Sequence, residues 1–151
     1  MIRVLHIEDE APIRTLARVN LEAEGMEVIE AANGRTGVQL AKREQPDLIL
    51  LGVMMPVLDG WQAAEELATD WETHEIPIVF LTARSSLQDR ARGFDLGAID
   101  YVTKPFNPAE LAPRLYGLQE RLERGERDEL RRERISELRA LMETEQPDSH
   151  A

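Results

Sequence analysis

The stretch PDLILLGVMMPVLDGW, residues 46–61, holds an unbroken apolar run, Leu48 to Leu51, closed by Gly52 and followed by a loop and a helix start at Asp59-Gly60. Four apolar residues bounded by turn signals fit a strand covered on both faces, and such strands belong to parallel sheets flanked by helices. Four more short runs of strand character stand at 2–7, 27–31, 78–81 and 100–103. Each of the five runs precedes a stretch of helical period, near 12–24, 36–44, 61–70, 87–96 and 108–124. The first helix places Ile13, Leu16, Ala17, Asn20 and Leu21 on one stripe and stops at Gly25. The last opens on Asn107 as N-cap with Pro108 at the first helical position. Five βα units predict an α/β, doubly wound, five-stranded parallel sheet with five helices, occupying residues 1–122.

A chain of 151 residues is one domain and a short appendage. It has no cysteine, so thiolate metal sites, disulfides and cysteine nucleophiles are excluded. With 18 Lys and Arg against 29 Asp and Glu, the net charge is -11, which opposes attraction to phosphate backbones or anionic lipid. The expectation is therefore no direct nucleic acid partner and no membrane association. The apolar start MIRVLHI meets Glu8, Asp9 and Glu10 at once, unlike a signal peptide, and no apolar run approaches the roughly 18 residues of a membrane span. A cytoplasmic location is expected.

After Leu118 the composition shifts. Residues 119–145 carry seven Arg and nine Asp or Glu, with Glu120/Arg124, Glu123/Arg127 and Asp128/Arg132 at i,i+4 spacing. Residues 123–145 read as a charged, solvated helical extension. Leu111, Leu115, Leu118 and Leu122 keep a 4-3-4 rhythm that Gly125 and Glu129 break, and Ile135, Leu138 and Met142 resume it. A break near Gly125 and a second helix that pairs with a partner is one reading, a continuous coiled coil the weaker one. Residues 146–151 are expected to be disordered.

Function in open parallel sheets collects at the carboxyl ends of the strands. Here those ends carry Glu8-Asp9, Gly52, Thr82-Ala83 and Lys104-Pro105. Two carboxylates, a hydroxyl and an ammonium around one pocket suit a hard divalent cation together with a phosphoryl group. His6 sits inside a central strand, where a packed, hydrogen-bonded histidine is expected rather than a ligand. His74 and His150 are too isolated to join it in a metal site.

The segments VLHIEDE, PDLILLGVMMPVLDGW, IPIVFLTAR and GAIDYVTKPF together closely resemble the receiver domain of bacterial two-component response regulators, from about Ile2 to Leu122. The resemblance implies a CheY-like (flavodoxin-like) sheet of order 2-1-3-4-5. It also implies a histidine kinase that phosphorylates one aspartate at the end of the third strand, with Mg²⁺ beside it. Carried over by motif, Glu8 and Asp9 are the acidic pair and Met54 supplies a backbone carbonyl to the metal. Thr82 is the switch hydroxyl, Tyr101 the switch aromatic, and Lys104 the phosphate-contacting lysine, whose bond to Pro105 is commonly cis in the family. The acceptor position falls on Gly52.

The family motif would read LLDVMMP where this chain reads LLGVMMP. A nucleophile is the one part that positioning and electrostatics cannot replace, so phosphorylation at position 52 should be abolished and Mg²⁺ binding weakened. Lys104, without its usual anionic neighbour, is expected to pair with Asp9. The chain reads as a non-enzymatic pseudo-receiver acting by protein–protein contact with a histidine kinase, a phosphotransfer protein or an output protein. An ordinary phosphorylatable regulator carrying an Asp-to-Gly change at position 52 is the alternative, and a metal-assisted phosphatase using Asp9 a remoter one. Within the family, receivers that control winged-helix DNA-binding domains dimerise through helix four, strand five and helix five. Arg90, Asp100, Glu110 and Arg114 match that face, although Pro113 is expected to interrupt helix five. A homodimer there or through the C-terminal helix is in view, whereas the stretch after Leu118 is too short and too acidic to be a winged helix.

Overall fold

The computed structural model describes residues 1–145. Five strands, β1 (Arg3–Ile7), β2 (Glu27–Ala31), β3 (Leu48–Leu51), β4 (Ile78–Thr82) and β5 (Asp100–Thr103), form one parallel sheet in the order β2-β1-β3-β4-β5. The helices are α1 (Ala11–Ala23), α2 (Gly34–Glu44), α3 (Gly60–Thr69), α4 (Leu87–Asp95), α5 (Pro108–Glu123) and α6 (Arg127–Glu145). The strand assignments hold to within one residue and the first five helices to within two. The expected disorder of 146–151 lies outside the described residues.

β3 shows why the sheet is two-sided. All four of its residues are fully buried, with Leu48 and Leu50 packed in the layer of α1 and α5 and Ile49 and Leu51 in the layer of α2, α3 and α4. Alternation along the strand thus feeds two cores at once. At the head of α3, Asp59 accepts from Gln62 N while the Gln62 side chain accepts from Asp59 N, a reciprocal cap. Gly60 is required there, because a Cβ would stand 1.9 Å from the Gly52 carbonyl oxygen.

His6 is fully buried, but neither ring nitrogen has a hydrogen-bond partner among the described residues, so the expected hydrogen-bonded histidine is corrected to a neutral ring packed as an apolar one. Burial, aided by the charges of Lys104 and Arg14, holds its pKa down at about 3. Pro113 does not interrupt α5, which runs through it, and the single N–H it removes lies on the exposed side of the second turn.

The larger correction concerns the extension. The chain does break at Gly125, which adopts φ +75° directly after α5. α6 then packs back on its own domain instead of standing free in solvent. Leu130 is buried in the α1/α5 layer and Leu138 in the α4 layer, so α6 passes from one layer to the other on the β5 side of the sheet. Arg131 donates to the Phe94 carbonyl at 2.7 Å at the end of α4, and Arg127 to the Glu75 carbonyl. Of the three expected i,i+4 pairs only Glu120 with Arg124 forms, at 3.1 Å. The arginines of α6 are drawn to backbone carbonyls and acids of the receiver, where partial burial strengthens each contact.

Candidate functional site

The carboxyl ends of β1, β3, β4 and β5 bring Glu8, Asp9, Gly52, Thr82 and Lys104 to one end of the sheet. Gly52 ends β3 with its N–H on the Ile7 carbonyl at 2.9 Å. A Cβ at Gly52 would sit 3.2 Å from Glu8 Oε1 and 3.4 Å from the Ile7 carbonyl oxygen. The Glu8 carboxylate therefore fills the ground beside the missing side chain. It is only 1% exposed and accepts from Lys104 Nζ at 2.6 Å, with Glu10 N at 3.3 Å on its other oxygen. Lys104 also lies 3.5 Å from Glu10 Oε1. The expected partner of Lys104, Asp9, is replaced by Glu8. With no carboxylate at position 52, the ammonium is taken by the buried acid, whose desolvation only a close cation offsets. Burial pushes the Glu8 carboxyl above its usual range, and the Lys104 ammonium opposes that rise. The Lys104-Pro105 bond is cis.

Glu8, Asp9 and Glu10 form an acidic group whose nearest oxygens lie within 4.8 Å of one another. These are hard donors of the kind Mg²⁺ takes. Gly52 adds no carboxylate to this set, and one Glu8 oxygen is engaged by Lys104. Met54, the backbone-carbonyl position, directs its side chain outward, where Arg84 Nη1 lies 3.7 Å from its sulfur.

Thr82 and Tyr101 converge on one residue. Thr82 Oγ1 accepts from Arg84 N at 3.2 Å, and Tyr101 donates its hydroxyl to the Arg84 carbonyl at 2.6 Å. Tyr101 is turned inward, with its ring against Phe80, and burial pushes its phenol up to about 12. Arg84 in turn pairs with Asp89 of α4, which the Ser86 cap also holds.

Of the expected dimer face, Asp100 and Arg114 are paired within the chain. Arg114 makes a two-pronged ion pair with Asp100 at 2.7 and 2.8 Å, and Arg134 of α6 lies 3.3 Å from the same carboxylate. Arg90 sits beside them, and Glu110 lines an adjoining groove with Arg90 and Arg114. Sequence reasoning missed Glu10, Arg84 and Arg134. Glu10 could have been found in the run Glu8-Asp9-Glu10, whereas nothing in the letters marks the other two.

A five-stranded parallel sheet of this order, with acids after β1, a hydroxyl after β4 and a cis-bonded lysine after β5 around one pocket, defines a signalling receiver. The family model for the response regulator receiver domain matches residues 4–116, and the chain belongs to that family. It is 43% identical over 124 residues to the DNA-binding dual master transcriptional regulator RpaA of Synechocystis sp., covering 82% of this chain and 52% of that protein. It is 42% identical over 120 residues to the phosphate regulon transcriptional regulatory protein PhoB of Escherichia coli K12, covering 80% of this chain and 52% of PhoB. Among solved structures, chemotaxis protein CheY4 of Vibrio cholerae matches with a TM-score of 0.72 and 32% identity, over 77% of this chain and 97% of that one. The chain thus spans about half the length of the curated relatives it matches.

These relatives correct the expectation of no direct nucleic acid partner, because transcriptional regulators, one of them DNA-binding by name, are what the receiver resembles. The argument from charge fails for a physical reason. A net charge summed over a receiver does not govern contacts made by another part of a regulator. No helix among the described residues is long and apolar enough to cross a membrane.

Proposed function

We propose that this receiver takes part in two-component signalling without accepting a phosphoryl group at position 52, and acts by contact with a histidine kinase, a phosphotransfer protein or an output partner. The observation that carries this reading is the pairing of Lys104 with Glu8 beside Gly52. The strand end that would hold the nucleophile has no side chain, and the lysine that would meet a phosphoryl group is already neutralised. Covalent phosphoryl transfer needs a nucleophilic oxygen, and positioning cannot substitute for it. Mg²⁺ would be held more weakly, through Asp9 and Glu10 with the Glu8 oxygen that Lys104 leaves unpaired.

A second reading is favoured by the relatives and by the survival of Glu8, Asp9, Thr82 and Lys104. In it the chain is a phosphorylatable regulator in which glycine stands at position 52 in place of aspartate. The room at Gly52 suits this reading as well, since the tightest neighbour of an added Cβ is the movable end of Glu8. On either reading the relatives make control of transcription the expected output of the regulator.

The test is the intact mass of the chain and of its Gly52→Asp variant after incubation with Mg²⁺ and a small-molecule phosphodonor. The chain as written is expected to gain nothing. A variant that gains one phosphoryl group supports the second reading, and an inert variant supports a pocket committed to binding alone. An adduct on the unsubstituted chain would place the acceptor on Asp9 or Glu8 and overturn both.

A further inference from the structure

Four elements converge on a cleft of about 430 Å³ whose lining includes none of Glu8, Asp9, Thr82 or Lys104. Arg90 comes from α4, Arg114 from α5 and Arg134 from α6, while Asp100 and Tyr101 of β5 form its floor. Three guanidinium groups here face two carboxylates, Asp100 and Glu137, in a chain whose overall charge is -11. Asp100, 1% exposed, is already saturated. It accepts from the Tyr101 backbone N–H at 2.8 Å and from Arg114 at 2.7 and 2.8 Å. Arg134 makes two long ion pairs, Nε at 3.3 Å from Asp100 Oδ1 and Nη1 at 3.5 Å from Glu137 Oε1. Arg90 Nε and Arg134 Nε are both buried with no hydrogen-bond partner among the described residues. A buried charged donor without an acceptor is costly, and Arg90, which makes no ion pair or hydrogen bond among the described residues, is the one here that lacks a partner.

We propose that this cleft binds a small phosphate-bearing anion, gripped by Arg90 and Arg134 with Arg114 behind them. Guanidinium forks match phosphate oxygens two at a time, and donors arriving from three helices suit a tetrahedral acceptor better than a planar carboxylate. The volume falls within the range of small-molecule pockets, about 300–1,000 Å³, and α6 forms one side. Leu138 and the half-exposed Leu141 supply an apolar wall for the remainder of an organic phosphate. Because Arg134 belongs to α6, occupancy also fastens that helix to the receiver, so the site ties a soluble anion to the docking of the C-terminal helix.

The test is an isothermal titration of the full chain with inorganic pyrophosphate, without divalent metal so that the acidic pocket takes no part, against chloride at matched ionic strength. One saturable site is expected. Arg90→Gln and Arg134→Gln should each weaken it about tenfold or more, the loss of one charge-assisted contact. Arg35→Gln, which removes an exposed pair with Glu66 elsewhere on the surface, should leave the affinity unchanged. Arg90→Gln breaks no hydrogen bond through Nε, so its melting curve should match that of the unsubstituted chain and its binding defect can be read directly. Hydrogen exchange at α6 should slow when pyrophosphate is added. No saturable heat beyond the chloride control, or equal affinities for the Arg90→Gln and Arg35→Gln variants, would overturn the proposal.

Discussion

At the scale of single residues, the side chains around Gly52 are committed to one another. Glu8 and Lys104 take each other as partners, and the hydroxyls of Thr82 and Tyr101 spend their hydrogen bonds on Arg84. Tyr101 offers a direct check. Its phenol is buried and donates to a carbonyl, so the folded state favours the protonated form and its pKa stands at about 12 against an ordinary value of 10.0. A group raised in the folded state contributes stability that is complete below the unfolded value and is lost as pH climbs through the folded one. Ultraviolet titration should therefore show a tyrosinate appearing near pH 12 that is missing in Tyr101→Phe. The stability of the unsubstituted chain should fall between pH 10 and 12 more steeply than that of the variant. A Tyr101 that titrates near 10 would mean the ring is not held inward.

At the scale of elements, the sheet was open to sequence reasoning and the last helix was not. Strands such as Leu48–Leu51 announce themselves because burial on two faces demands an unbroken apolar run. The strand-end residues followed from topology alone, which is why Glu8, Asp9, Gly52, Thr82 and Lys104 could be grouped before any coordinate was known. The docking of α6 left no such mark. Its anchors Leu130, Ile135, Leu138 and Met142 are diluted among charges, and its polar contacts include Glu133 on Arg121 of α5 and arginines on the carbonyls of Phe94 and Glu75, whose places only the fold fixes. The pairing of Lys104 with Glu8 was equally hidden, since the choice between adjacent acids depends on which one is buried. The docked helix carries its own prediction. Leu138 is 6% exposed against Phe94 and Tyr101, and its truncation to alanine should cost about 2–4 kcal/mol of docking free energy. Hydrogen exchange should report the loss as faster exchange in α6 with the β1 and β3 amides unchanged. Uniform loss across the sheet would show instead that α6 unfolds only with the whole domain.

At the scale of the molecule, α6 and the charge balance act together on association. Asp100 and Arg114 satisfy each other within one chain, and α6 covers the side of the sheet on which they lie. A second copy that displaced α6 from that face would withdraw Leu138 from its cluster and leave Arg131 without the Phe94 carbonyl. It would also bring together two chains of charge -11, whose repulsion is weakly screened at low salt. Ion pairs on an exposed face return only about 0–1 kcal/mol each, too little to offset both costs. Sedimentation velocity should accordingly find the full chain monomeric, at low and at moderate ionic strength alike. Weakening the dock with Leu138→Ala should raise self-association, and added salt should raise it further by screening the net charge. A full chain that is already dimeric, with α6 amides freely exchanging, would mean that the helix yields this face to a partner copy. An associating Leu138→Ala variant beside a monomeric parent would identify α6 as the element that keeps the face closed.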